Sequence, residues 1–179
     1  MMMGERTVAQ EALSRLGIGQ VVLDAGARVI AISRRQESLD LARSMGAAEA
    51  VVMDDHWRII EDVKRLTDGR MAERVIECVG KQWPLDLAGE LVAEGGRLVI
   101  AGYHQDGPRQ VNMQNWNWKG IDVINAHERD PAVQMRGLRE AIEWVADGRL
   151  DLARAGVGVP DQCFQDDDRA RGLQRPALQ

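Results

Sequence analysis

Two short apolar runs on either side of a helix-like segment constrain the fold of this chain more than any other feature. They span residues 75–79 and 98–101, and residues 81–96 lie between them. Continuous apolar runs are typical of strands that are covered on both faces, as in a parallel sheet. The intervening segment is long enough for a crossover helix, and Gly95-Gly96 permits a sharp re-entry into the second strand. The stretch therefore predicts a right-handed strand–helix–strand unit.

Similar units recur along the 179 residues of the chain. The predicted strand starts are Arg28, Ala50, Arg74, Arg97 and Ile121. Their spacing of roughly two dozen residues is the length of one strand–helix repeat in a parallel sheet. The predicted fold class is therefore α/β, with a mostly parallel sheet, helices on both faces, and a first strand–helix unit that is degenerate or missing.

The two ends of the chain are less regular than its middle. Residues 5–15 have a weak apolar face and are predicted to be helical, whereas 20–23 fit a short strand or a helical turn equally well. Near the other end, Asp130-Pro131 is a good helix start. The helix that follows is expected to turn four residues inward: Leu138, Ala141, Ile142 and Val145. The predicted divisions are an atypical segment 1–25, a domain 26–153 and a loose tail 154–179.

Charge and composition exclude several classes of partner. The net charge is −5 and the pI is about 5.3, which argues against binding to nucleic acid or to anionic membrane. No apolar run approaches the roughly 20 residues that a membrane span needs. The first residues lack the apolar core of a signal peptide. The chain has only two cysteines, which is typical of proteins in a reducing compartment, so we expect the protein to be cytoplasmic.

The most informative polar group is Ser33-Arg34-Arg35, directly after a predicted strand. In a nucleotide-binding sheet, an acidic residue at this point accepts from the ribose 2′-hydroxyl of NAD. A small hydroxyl followed by arginines leaves room for a 2′-phosphate and supplies charge-assisted hydrogen bonds to it. The pattern favours NADP in a dinucleotide fold, and it equally describes two solvated arginines at a helix start.

Other candidate positions carry weaker signals. The glycine loop that cradles phosphates is absent before Gly26, and Gly17-Ile18-Gly19 is better explained as an ordinary turn. Gly80 and Gly102 follow strands, which suits either a close cofactor or simple turn geometry. No catalytic residue and no metal ligand is assigned.

Three further predictions concern single side chains. His104 and His127 are expected to be solvated loop residues, since no oriented partner is evident. Glu77 lies inside a buried strand, where it could pair with Arg97 or form hydrogen bonds at the sheet edge. Trp116 and Trp118 would share one face if extended, and form either a subunit contact or a packed flap.

Several stretches together resemble the cofactor domain of the medium-chain dehydrogenase/reductase superfamily, near the zinc-type alcohol dehydrogenases of the sorbitol and threonine dehydrogenase type. They read GARVIAISRRQESLDLARSMGA, AERVIECVG, LVAEGGRLVIAGY and KGIDVINAHERDP. The resemblance implies a Rossmann-like domain that binds NADP or NAD for hydride transfer between an alcohol or carbonyl and nicotinamide. It places Ser33, Arg34 and Arg35 at the adenosine end. It places six others at the nicotinamide end: Val79, Gly80, Ala101, Gly102, Asn125 and Ala126.

The departures from that family are equally informative. The resemblance stops near Leu152, and the zinc ligands, the catalytic domain and the glycine-rich first strand have no counterpart. We therefore expect a chain that is inactive alone, from a truncated or frame-disrupted gene, with a homo-oligomer formed through the later strands. The alternatives are a non-catalytic α/β association module and another nucleotide-type enzyme such as a methyltransferase.

Overall fold

A parallel sheet organises the chain in the computed structural model, which describes residues 7–11, 23 and 25–151. Its strands are β1 (Thr7–Glu11), β2 (Arg28–Ser33), β3 (Glu49–Val52), β4 (Ala72–Glu77), β5 (Val92–Ile100) and β6 (Asp122–Asn125). The helices of the described part are α1 (Gln36–Ser44), α2 (His56–Leu66), α3 (Gln82–Leu91), α4 (Met113–Lys119) and α5 (Pro131–Ala146). The strand order is β3-β2-β1-β4-β5-β6, and all neighbours are parallel. This is the doubly wound order, so the predicted fold class is confirmed.

The predicted N-terminal helix is wrong over Thr7–Glu11, because these residues form the central strand β1. Ala9 is in register with Ile30 of β2 on one side and with Val75 of β4 on the other. The strand therefore occupies the central position that the sequence pattern left empty. Pairing along both edges decides the conformation of so short a segment more than its own pattern does. Of 20–23, only the helical residue 23 is described, and 17–19 lie outside the described residues.

Strand β2 confirms that the sheet is covered on both faces. Ile30 and Ile32 belong to the main core, which also contains residues of α2 and α3. Val29 and Ala31 point to the opposite face and pack with Ala42 of α1. Because alternate side chains leave a strand on opposite faces, a run that is apolar throughout can fill both layers.

The central unit is also confirmed, since β4 and β5 are parallel neighbours with Val75 opposite Leu98. Strand β5 begins earlier than expected, and the pairing shifts register near its start. Gly95 lies in this irregular part with a φ of +65°, and a Cβ on Gly96 would lie 2.9 Å from the carbonyl oxygen of Ala93. The two glycines thus serve a distorted strand start, not a turn before the strand.

The inward packing expected for the last helix is wrong. Asp130 caps α5 as predicted, accepting a hydrogen bond from the Ala132 amide at 2.8 Å. However, the side chains of Leu138, Ile142 and Val145 are 53%, 59% and 38% exposed. The helical period predicts an apolar stripe, but it does not supply the layer that would cover it. No residue of α5 is buried within the described part of the chain.

The tryptophan segment is helical instead of extended. Trp116 in α4 packs against the core, and its indole occupies the space where a Cβ of Gly89 would lie. Trp118 is two residues further on, points elsewhere and is 86% exposed. The two rings therefore do not share a face, because residues two apart lie on different sides of a helix. Among the described residues, no helix is long and apolar enough to cross a membrane.

Candidate functional site at the carboxyl edge of the sheet

The loops after β4 and β5 pack directly on each other at the carboxyl edge of the sheet, here called the rim. Gly80 has a φ of +77°, and a Cβ there would lie 2.6 Å from the carbonyl oxygen of Tyr103. A Cβ on Gly102 would lie 2.9 Å from the Cα of Gly80 and closer still to its amide nitrogen. Contact between the two backbones thus explains why both positions are glycine, whether or not a cofactor also approaches them.

Glu77, the last residue of β4, forms hydrogen bonds to both loops. Its side chain is 1% exposed, and its Oε1 accepts hydrogen bonds from the amides of Val79 at 2.7 Å and Gly80 at 2.8 Å. Its backbone carbonyl accepts from the amides of Ala101 and Gly102, both at 2.8 Å. The predicted hydrogen bonding at the sheet edge is confirmed. The predicted pairing with an arginine of β5 is wrong, because that arginine bonds to a carboxylate of β6.

His104 is not the solvated residue that the sequence suggested. Its side chain is 16% exposed, its Nε2 lies 3.1 Å from Oε2 of Glu77, and its Nδ1 accepts from Nε of Arg109 at 2.9 Å. Since Nδ1 accepts, the proton lies on Nε2, which donates to the carboxylate. Arg109 also donates to the carbonyl oxygen of Gly80 at 2.9 Å. A carboxylate, an imidazole and a guanidinium thus link β4 to both loops.

The outer end of this network is charged and exposed. Asp106 bonds to Lys81 at 2.7 Å and to Arg109. The Lys81 ammonium, and then the Arg109 guanidinium, hold the pKa of the Asp106 carboxyl well below its usual range. Asp106 therefore stays ionised, and able to bond to both cations, as the pH falls through the range in which a free aspartate takes up a proton. His127, by contrast, is exposed as predicted and contacts the Tyr103 ring with a centroid separation of 5.6 Å.

The arginines after β2 lie at the same edge of the sheet. Ser33 is buried, and its hydroxyl accepts from the Arg35 amide at 3.3 Å. Arg34 and Arg35 are exposed, and neither forms an ion pair with any residue that the structure describes. The Cζ of Arg34 lies 4.7 Å from the centre of the Trp83 ring. Two guanidinium groups with free donors fit an anionic ligand such as a nucleotide phosphate.

The residues expected at the nicotinamide end follow three adjacent strands. Val79 is 37% exposed at the rim after β4. At the end of β6, the Asn125 side chain accepts from the His127 amide at 3.1 Å, and the amide of Ala126, the next residue, donates to the carbonyl oxygen of Ile100 at 2.9 Å. Because all strands are parallel, these residues share an edge with the arginines after β2. Their contact with a cofactor stays a prediction.

A separate cleft of about 530 Å³ lies at the opposite edge of the sheet. It is lined by residues at the starts of β4 and β5 and by Lys119, whose Nζ donates to three backbone carbonyls at the end of α3 and start of β5. Burial lowers the pKa of this ammonium. The lysine is thus engaged in joining α4 to α3 and β5. Ligands of open parallel sheets bind at the carboxyl edge, which favours the rim.

Sequence reasoning missed several rim residues. A charge inside the run 75–79 was the one available signal for Glu77. His56 and Trp83 lie in the first turns of α2 and α3, and Arg109 lies in the loop after β5, so no pattern of their own marks them as site residues. The strand order brings those segments together. Within residues 7–11, 23 and 25–151, no three side chains of His, Cys, Asp or Glu are grouped as a metal site would require.

Comparison with known proteins agrees with this geometry. The sequence model of one family, described as zinc-binding dehydrogenase, matches residues 16–147. The (R,R)-butanediol dehydrogenase of Neisseria gonorrhoeae is 26% identical over 135 residues, which cover 75% of this chain and 36% of that protein. The NADP-dependent isopropanol dehydrogenase of Clostridium beijerinckii is 28% identical over 96 residues, covering 54% and 27%.

A solved structure gives the same result in three dimensions. The alcohol dehydrogenase of Aeropyrum pernix matches with a TM-score of 0.67 and 26% identity, covering 81% of this chain and 41% of that one. The chain spans less than half the length of the curated relatives it matches. The likeness therefore concerns one domain of those proteins.

Proposed function

Since this chain belongs to the zinc-binding dehydrogenase family, whose cofactor-binding domain it carries, we propose that its rim binds a nicotinamide dinucleotide and prefers NADP. The observation that carries the preference is the pair Arg34 and Arg35, exposed after β2 and free of ion pairs among the described residues. A planar guanidinium binds phosphate through two parallel hydrogen bonds. The NADP dependence of the Clostridium relative supports the same preference.

In this arrangement the dinucleotide lies along the rim, across the ends of β2, β4, β5 and β6. Ser33, Arg34 and Arg35 bind the adenosine end. Six residues line the nicotinamide end: Val79, Gly80, Ala101, Gly102, Asn125 and Ala126. When bound, the nicotinamide supplies a hydride donor or acceptor. The chain's own contribution is to hold the two loops at a fixed separation through Glu77, His104 and Arg109.

For the whole protein we propose hydride transfer between an alcohol or carbonyl and nicotinamide, as the printed names of its relatives suggest. The present 179 residues would supply the cofactor-binding part of that reaction and be inactive alone. The described residues group no set of side chains that fits zinc, so no zinc step is assigned to them. We propose 26–153 as the domain, with β1 added from the preceding segment. A cytoplasmic location stays a prediction.

The double variant Arg34→Gln, Arg35→Gln tests the cofactor preference. Hydrogen bonds to charged groups contribute about 1.5–3 kcal/mol, so we expect the NADPH Kd to rise about tenfold to a hundredfold. The NADH Kd should change less than about threefold, because NADH lacks the 2′-phosphate that the two arginines are proposed to bind. Both constants are measured by isothermal titration calorimetry.

The matched control is Arg70→Gln, which removes another exposed arginine, at the opposite edge of the sheet, and should leave both constants unchanged. Equal weakening of NADPH and NADH by the double variant would contradict the NADP preference. Wild-type chain that binds neither nucleotide at millimolar concentration would remove the proposed function itself.

An association module is the second candidate, and one observation favours it. Strand β6 and helix α5 expose apolar side chains, among them Val123 at 40%, Ile124 at 42% and Ile142 at 59%. A strand at the end of a sheet also has unpaired backbone groups, which suit a homo-oligomer formed through the later strands. A module with association as its sole function would bind neither nucleotide, so the same titration discriminates between the two candidates.

A further inference from the structure

Three side chains from three different segments at the rim form a chain of contacts with Trp83 in the middle. Arg34 follows β2, His56 begins α2 after β3, and Trp83 lies in the first turn of α3 after β4. The Arg34 guanidinium carbon stands 4.7 Å from the centre of the Trp83 ring. The Trp83 Nε1 donates to Nδ1 of His56 at 3.0 Å. The imidazole thus fixes the indole, and the indole supports the guanidinium.

This stack leaves the binding groups of Arg34 available. One face of the guanidinium rests on the indole, where the attraction between cation and ring quadrupole orients it. Its N–H donors meet no hydrogen-bond partner among the described residues. An exposed arginine without such support loses rotamer freedom when it binds, which costs affinity. Support on Trp83 reduces that cost before any ligand arrives.

The two carboxylates that follow β3 form no ion pair with Arg34. Asp54 is bonded to the guanidinium of Arg58, and Asp55 accepts from the Arg58 backbone amide at 2.8 Å as the cap of α2. Both acids therefore already have partners on their own element. The positive charge of Arg34 remains available for an anion that enters the rim.

We propose that Trp83 is a positioning residue for Arg34, so that discrimination in favour of a ribose 2′-phosphate depends on an aromatic ring two loops away from the arginines. The inference rests on the proposed function, because it assumes that a dinucleotide occupies the rim. It assigns a role in cofactor choice to the loop after β4, where the sequence pattern shows only a helix start. His56 acts one step further back, by holding the indole.

The test compares Trp83→Leu with Trp83→Phe and uses calorimetry to obtain the NADPH and NADH dissociation constants of each. An exposed cation–π contact corresponds to a factor of about two to five in binding, so Trp83→Leu should weaken NADPH by about that factor and spare NADH. Trp83→Phe keeps a ring and should recover most of the loss. Trp118→Leu removes an exposed tryptophan of α4 and should change neither constant.

A double-mutant cycle separates positioning from general packing. In the Arg34→Gln background, Trp83→Leu should no longer alter the ratio of the NADH and NADPH constants, because the side chain it positions is absent. Two results would overturn the positioning role alone. The first is a ratio of the NADH and NADPH constants that neither Trp83→Leu nor Trp83→Phe changes when Arg34 is present. The second is an effect of Trp83→Leu on this ratio that is equally large when Arg34 is absent. If wild-type chain binds neither nucleotide, both this inference and the proposed function are wrong.

Discussion

The substitution Gly80→Ala is expected to destabilise the chain by about 2–5 kcal/mol. The residue has a φ of +77°, and a left-handed conformation costs a non-glycine residue roughly 1–2 kcal/mol. In addition, the new methyl would lie 2.6 Å from the carbonyl oxygen of Tyr103, 2.8 Å from its carbon and 2.9 Å from its nitrogen. These are backbone atoms that cannot rotate away, and overpacking adds about 1–3 kcal/mol. Urea unfolding followed by circular dichroism measures the difference.

Gly26→Ala is the matched control for that experiment. Gly26 has the same φ of +77°, but apart from its two chain neighbours no heavy atom of the described residues lies within 4 Å of the position of its missing Cβ. Its substitution therefore includes the conformational cost alone, about 1–2 kcal/mol. A loss of equal size in the two variants would show that the loops after β4 and β5 do not pack as closely as described.

Replacement of Glu77 by alanine should cost about 3–5 kcal/mol of unfolding free energy, since removing one partner of a buried charged network leaves the others unpaired. The donors left without an acceptor are the amides of Val79 and Gly80 and the Nε2 of His104. The same urea unfolding gives the value. The effect should reach the rim as well, because these donors hold the loop between β4 and α3 in place.

Glu77→Gln separates the shape of this side chain from its chemistry. The amide oxygen can still accept from the two backbone amides, but the NH₂ group then faces the N–H of His104. The imidazole cannot change tautomer without opposing the Nε donor of Arg109. We expect a cost of about 1–3 kcal/mol, the penalty for unsatisfied buried donors. The cost should shrink in a His104→Ala background, and equal costs in both backgrounds would contradict the network.

Regular, strongly apolar segments are where the sequence predicts the structure well. The run in β2 fills both layers of the core, so its composition alone determines its role. The cap at Asp130 works through local hydrogen bonds and is equally predictable. Central strand β1 was not predicted, because pairing with two neighbours outweighs the weak helical pattern of its own residues. The exposure of α5 was not predicted for a related reason, since periodicity does not reveal whether a partner layer is present.

The residues of the candidate site also fall into two groups, those that local sequence predicts and those that depend on the tertiary structure. Arg34 and Arg35 could be placed at the carboxyl edge because they directly follow a strand. The tautomer of His104 and its bond to Glu77 depend on a loop between β5 and α4 whose path no pattern predicts. The contact of Trp83 with Arg34 requires β2 and β4 to lie on either side of β1, which becomes known only from the sheet order.

Hydrogen exchange with and without saturating NADPH tests the central claim most directly, because it reports where the nucleotide binds. We predict slower exchange of backbone amides in 33–36, 78–82 and 101–107, all at the rim, and no change in 67–73 and 92–96 at the opposite edge. Protection confined to the opposite edge, or no protection at a concentration where binding is saturated, would contradict a dinucleotide site at the carboxyl ends of these strands.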